Sequence, residues 1–101
     1  MAGTVFEGGL AIRYQPLGHF EFSLSGAANL PSQPDENRVR RTVIRPLGAD
    51  VTFCDDGTEP SATHGMPIKD GEILVYDGHD LSIFRIFCAL TADVRIAYYG
   101  T

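Results

Sequence analysis

The sequence predicts an all-β fold, an antiparallel β-sandwich of jelly-roll type with about seven or eight short strands. Three observations lead there. Eleven Gly and six Pro interrupt the 101 residues so often that no clean helix of about ten residues survives. Short alternating or continuous apolar runs lie between turn signals. No helical segment is left to cover a sheet, so the strands must form a sandwich or barrel.

The chain is expected to open with an extended arm, residues 1–16, followed by one domain, residues 17–101. Gly3, Gly8 and Gly9 loosen the arm, while Val5, Phe6, Leu10, Ile12 and Tyr14 give it apolar side chains. Such a segment can dock along a neighbour's sheet edge or serve as an ordinary first strand. Residues 19–24 alternate, with Phe20, Phe22 and Leu24 on one face, as a half-buried strand does. Residues 25–30 are the best helical candidate, cut short by Pro31 and Pro34, and residues 31–37 form a polar loop. Residues 38–44 read as a strand in which the doublet Arg40-Arg41 breaks the alternation and marks a bulge.

Val51-Thr52-Phe53-Cys54 is the next strand, ended by the turn signal Asp55-Asp56-Gly57. A loop over residues 58–65, holding Pro60 and His64, follows. Glu72-Ile73-Leu74-Val75-Tyr76 ends at Asp77-Gly78, and residues 81–90 are apolar apart from Ser82 and Arg85. Ala92-Asp93 is expected to turn the chain into a last strand, residues 94–99.

Two of these strands are apolar on both faces. Ile73 and Val75 oppose Leu74 and Tyr76, while Ile83 and Phe87 oppose Phe84, Ile86, Cys88 and Leu90. A sandwich covers only the inner face of each sheet. Side chains worth about 1.5–3 kcal/mol each on burial therefore need a second cover, and another protein chain can supply it. A folded-back loop or the N-terminal arm is the other candidate. The expected interface residues are Phe6, Leu10, Ile12, Arg38, Arg40, Arg41, Leu74, Tyr76, Phe84 and Ile86.

Charge narrows the partners. Eight Lys+Arg against thirteen Asp+Glu leave a net charge of -5, which argues against nucleic-acid binding. No apolar run approaches the roughly 18 residues of a membrane span, and no signal-peptide layout opens the chain, so neither membrane nor export is expected. Residues 1–50 hold five acids and five bases, residues 51–101 eight acids and three bases. The bases cluster at Arg38, Arg40, Arg41 and Arg45, which suits head-to-tail or lateral contacts between copies or a plain solvated strand face.

Catalytic and metal signatures are lacking. There is no nucleophile elbow, no phosphate-binding glycine loop and no His-Glu-x-x-His. His19, His64 and His79 are far apart and lack the His-x-His spacing of cupin-type sites. Asp55-Asp56-Gly57-Thr58-Glu59 offers oxygens to a hard cation without the spacing of a calcium loop, and reads as a solvated turn. Asp77-Gly78-His79-Asp80 reads the same way. Cys54 and Cys88 are expected as buried free thiols. Neither enzyme activity nor a cofactor is expected.

Residues 51–68, with Val51-Thr52-Phe53-Cys54-Asp55-Asp56-Gly57-Thr58-Glu59-Pro60-Ser61-Ala62-Thr63-His64-Gly65-Met66-Pro67-Ile68, then Gly71-Glu72 and Tyr76, resemble a family of small structural proteins of tailed-bacteriophage virions. Its members share an Asp-Asp-Gly-Thr-x-Pro segment running into Gly-Met. Leu81-Ser82-Ile83-Phe84, Val94-Arg95-Ile96-Ala97-Tyr98-Tyr99 and the opening Tyr14-Gln15-Pro16-Leu17-Gly18 are similar to further family segments, so the likeness spans most of residues 14–99. The Arg-rich residues 38–45 lie outside it. The resemblance implies a virion component assembled in the bacterial host cytoplasm. The first expectation is a capsid decoration or cement protein that forms homo-oligomers and binds the major capsid protein. A head–tail connector or tail component is the second. A separate expectation, from the exposed residues 55–65, is a module that binds a host glycan or other ligand.

Overall fold

A computed structural model of the chain describes residues 4–7, 10–30, 38–78 and 81–101, with the two N-terminal strands described by their backbone pairing. The described residues are all β, with no helix. Strands β1 (Thr4–Glu7) and β2 (Leu10–Arg13) form an antiparallel hairpin from Thr4↔Arg13 to Glu7↔Leu10. Six further strands follow: β3 (Gln15–Asn29), β4 (Val39–Leu47), β5 (Val51–Cys54), β6 (Met66–Ile68), β7 (Leu74–Asp77) and β8 (Arg85–Gly100). All six belong to one antiparallel sheet curled into a half-barrel, ordered β6-β5-β8-β4-β7, with β3 along the other edge of β8. Strands β3 to β8 thus form one continuous ladder where the sequence suggests two stacked sheets.

Strand β8 organises the fold. Its even positions from Ile86 to Tyr98, Leu90 excepted, are apolar or small and buried, facing the concave side. Its C-terminal part pairs with β4, from Val39↔Gly100 to Leu47↔Asp93, and its N-terminal part with β5, from Thr52↔Phe87 to Cys54↔Arg85. Strand β3 follows β8 along both parts. Between Leu24↔Ala92 and Gly26↔Cys88 the ladder slips: β3 advances two residues while β8 advances four. Extra residues on one strand bend it and sharpen the twist. Gly26, at φ 80°, supplies the left-handed kink that β3 needs there. The sheet folds over at this corner.

Two expectations fail here. Ala92-Asp93 does not reverse the chain: the irregularity lies at residues 89–91, and Ala92 sits in the core opposite Leu24. Residues 25–30 extend β3 and then end it, rather than forming a helix, because pairing with β8 satisfies a backbone whose isolated sequence has only a weak preference. The bulge expected at Arg40-Arg41 is present. Val39 pairs with Gly100 and Arg41 with Tyr99, so Arg40 is the additional residue. It switches the inward positions from Val39 to Thr42 and Ile44, all fully buried. Residues 31–37, His79 and Asp80 lie outside the described residues.

The concave side is filled by Leu24, Ile44, Ile68, Phe84, Ile86 and Tyr98 among others. Leu81 and Phe84 enter it from the segment ahead of β8, where Phe84 N–H donates to the Leu81 carbonyl at 3.1 Å. Cys54 and Cys88 are both buried and free.

Candidate interaction surface

On the convex side of the β4–β7 half, the outward positions form cross-strand rows. One runs His19–Ala97–Val43–Val75, a second Tyr99–Arg41–Asp77, a third Glu21–Arg95–Arg45. Direct cross-strand neighbours have Cβ atoms about 4.5–5.5 Å apart, so these side chains make a continuous surface. Val75 is 52% exposed and Ile73, next on the same face of the chain, 55%. Val43 is half-buried between Ala97 and Val75.

Arginine chemistry frames this patch. Arg41 donates to Asp77 through Nε to Oδ1 at 2.6 Å and through Nη2 to Oδ2 at 3.1 Å, a bidentate pair. These hydrogen bonds hold the Asp77 carboxyl below its ordinary range. The Arg41 guanidinium lies 5.2 Å from the centre of the Tyr14 ring, and His19 meets Tyr99 edge-on at 6.3 Å. Arg45 Nε donates to the Gly71 carbonyl at 3.1 Å. Arg95 donates to Asp93, whose hydrogen bond and charge raise the guanidinium pKa further. Beside these groups an open groove of about 330 Å³ runs between His19, Val43, Arg45, Ile73 and Arg95. Aromatic residues and arginine are enriched at the cores of protein–protein interfaces.

The expected interface residues are placed unevenly. Arg41 belongs to the patch. Arg38 is exposed at its end, donating to the Thr101 carbonyl at 2.7 Å and to Gln15 at 3.4 Å, while Arg40 is half-buried and donates to the Val39 carbonyl. Leu74 and Tyr76 pack half-buried against the core, and Phe84 and Ile86 are fully buried within it. Those four line the concave interior, not the outer surface. The alternation is present but its sides are reversed: Ile73, Val75 and Ile83 face out. Phe6, Leu10 and Ile12 lie in β1 and β2, and their side chains fall outside the described residues. Tyr14 was legible as an apolar side chain of the expected arm, whereas His19, Val43 and Tyr99 had no signal for this surface; they become visible once the bulge at Arg40 sets which side of β4 faces out.

Residues 55–65 form an ordered loop. The Thr58 hydroxyl donates to Asp56 Oδ1 at 2.6 Å, the Thr58 N–H to the same oxygen at 3.0 Å, and His64 Nε2 lies 3.0 Å from the hydroxyl. These bonds lower the Asp56 pKa, the side-chain hydroxyl contributing most. With its proton directed at Asp56, the hydroxyl is not set up as a nucleophile activated by the imidazole. Ser61 Oγ accepts from His64 N–H, Thr52 Oγ1 donates to the Ser61 carbonyl at 2.9 Å, and Glu59 pairs with Arg85 at 3.5 Å. Most polar groups of the loop are engaged with one another. His19 sits on the convex face and His64 in this loop, and no group of three His, Cys, Asp or Glu among the described residues is arranged to hold a metal ion. Comparison with protein-family models, with curated proteins and with solved structures finds no match for the chain.

Proposed function

We propose that this chain is a structural subunit of a bacteriophage virion, a decoration or cement protein that associates with copies of itself and docks on the major capsid protein. The carrying observation is the convex face: Ile73 and Val75, more than half exposed, beside Val43, Tyr14, Tyr99 and the arginines 41, 45 and 95. Exposed aliphatic side chains in a patch framed by aromatic rings and guanidinium groups gain free energy when a flat protein surface covers them. The resemblance of residues 51–68 to phage virion proteins supplies the kind of surface. The net charge of -5 disfavours a nucleic-acid partner and supports a protein one.

The test is co-sedimentation of the purified chain with shells built from the major capsid protein. Wild type is expected to pellet with the shells, and Ile73→Arg or Val75→Arg to remain in the supernatant with an unchanged unfolding midpoint. Wild type left in the supernatant overturns the reading. Binding to connector or tail particles in place of shells replaces it with the head–tail role.

A further inference from the structure

Among the described residues, strand β3 is an edge strand along its whole length. It has 15 residues, roughly 50 Å of extended chain, and among the described residues it pairs with β8 alone. Every second residue therefore presents a backbone N–H and C=O outward with no partner strand. Natural edges of this kind are guarded by lysine, by proline, by shortness or by bulges on the edge strand. From Gly18 to Ala28, β3 carries no Lys, Arg or Pro, and its one carboxylate is Glu21. The slip between Pro16 and Gly18 and the kink at Gly26 bound its straight part to residues 18–25, of which residues 18–24 keep register with β8.

The inner face is also incomplete along this edge. Leu24 is buried, but Phe20 and Phe22, its neighbours on the concave side, are only half-buried. Phe20 is held on one side by Tyr98, ring centroids 5.7 Å apart. A further strand beside β3 would cover both phenylalanines and satisfy the outward backbone groups in one step.

We infer that the edge of β3 pairs antiparallel with β3 of a second copy, about a two-fold axis at Phe22, joining two half-barrels into one continuous sheet. The strand's own pattern selects this register. With Phe22 opposite Phe22 of the second copy, Phe20 faces Leu24, Glu21 faces Ser23 and His19 faces Ser25. Apolar residues meet apolar on the concave side, no like charges meet, and residues 19–25 all lie ahead of the kink at Gly26. One step along, with Glu21 at the axis, two carboxylates stand directly opposite, which disfavours the pair. With Phe20 at the axis only residues 18–22 stay regular. An isologous contact of this kind closes on itself as a dimer. The inference deepens the self-association proposed above and rests on that reading for its setting, yet it concerns a different surface from the convex face and is tested on the chain without shells.

Two measurements decide it. The first is amide hydrogen exchange of wild type across a dilution series, with mass in solution followed in parallel. Protection of residues 19–25 that appears as the dimer forms, and vanishes on dilution, is the expected result. A chain that stays monomeric at every concentration overturns the inference. So does a dimer whose residues 19–25 exchange as in the monomer; the convex-face reading survives that outcome, because Val75→Arg still reports on it. Protection that appears only when shells are added overturns it as well, assigning the edge to the capsid protein.

The second measurement tests the register with equal charges at two exposed serines. Ser23→Glu places a carboxylate opposite Glu21 twice per dimer and is expected to weaken dimerisation about tenfold. Ser25→Glu adds the same charge opposite His19 and is expected to leave the dimer constant within about twofold. Ser23→Lys is expected to tighten it. Equal weakening by both glutamates overturns the two-fold at Phe22. Should a glutamate variant fail to fold, the lysine variant and the wild-type exchange data still decide.

Discussion

Tyr76 stands edge-on to Phe84, their ring centroids 4.9 Å apart, and its hydroxyl donates to Asp55 Oδ2 at 3.1 Å. Phe53 stacks on the other ring at 5.1 Å and meets Tyr76 at 6.4 Å. Tyr76 belongs to β7, at the outer edge of one half of the sheet, and Phe53 to β5 in the other half. The three rings therefore tie the halves together across the concavity, away from the corner where β8 bends.

Truncating the ring at this closure is expected to be costly. Tyr76→Ala removes a half-buried aromatic and two ring contacts, and should lower stability by about 2–3 kcal/mol. Tyr76→Phe keeps the rings and removes the hydrogen bond to an exposed carboxylate, at about 1 kcal/mol or less. Denaturant midpoints at constant slope distinguish the two, and equal losses would show that the hydroxyl, not the ring, holds the closure.

Thr42 offers a prediction of opposite sign. It is fully buried on the concave side, opposite Tyr98 and Tyr76, and its Oγ1 has no hydrogen-bond partner among the described residues. A buried hydroxyl left unpaired costs about 1–3 kcal/mol of desolvation. Thr42→Val replaces it with a methyl of nearly the same shape, so the variant should be more stable by about 1 kcal/mol. A lower midpoint for this variant would mean that the hydroxyl is hydrogen-bonded after all, through water.

Much of this was legible in the chain and some was not, for identifiable reasons. Phe20, Phe22 and Leu24 alternate with polar residues, so period alone places them on the inner face. The doublet Arg40-Arg41 announces its bulge because two charged residues cannot both follow the alternation of Val39, Thr42 and Ile44. Where a strand is apolar on both sides, period shows the alternation but not its sense: Leu74 and Phe84 face in, Val75 and Ile83 out, and only pairing with β4 and β5 decides. The corner was illegible because its cause is divided between two strands, residues 89–91 on β8 and Gly26 on β3. The convex patch was unreadable in part for the same reason, since His19, Val43 and Val75 are distant in sequence and become neighbours only through register.

Gly65 fixes the loop of residues 55–65 to the sheet. Its φ of 122° lies in the region that side chains avoid, and an added Cβ would stand 2.7 Å from the Phe53 carbonyl oxygen and 3.2 Å from Cys54 Sγ. Backbone oxygen does not yield as a flexible side chain would. Gly65→Ala is expected to cost about 2 kcal/mol or more and to lift the loop from Cys54. The thiol, buried in wild type, should then react with a soluble disulfide reagent much faster, while Cys88 on the core side stays protected. Unchanged thiol reactivity would show that the loop accommodates the methyl without leaving the sheet.

Tyr98 makes the stability of the fold sensitive to alkali. Its side chain is fully buried at the centre of the sheet, and burial pushes the phenol up to about 12 from an ordinary 10.0. The folded state thus holds the phenolic proton over a range where the unfolded chain releases it. The resulting stability is present in full below pH 10 and is lost as pH rises towards 12, amounting to roughly 2–3 kcal/mol over that interval. Tyr98→Phe cannot ionise, so its stability should fall less steeply across the same window even if its neutral-pH stability is lower. Urea midpoints measured between those two pH values for both proteins test this. Parallel slopes would mean that the phenolate is tolerated in the folded sheet, and that the seal around Tyr98 opens to water before the chain unfolds.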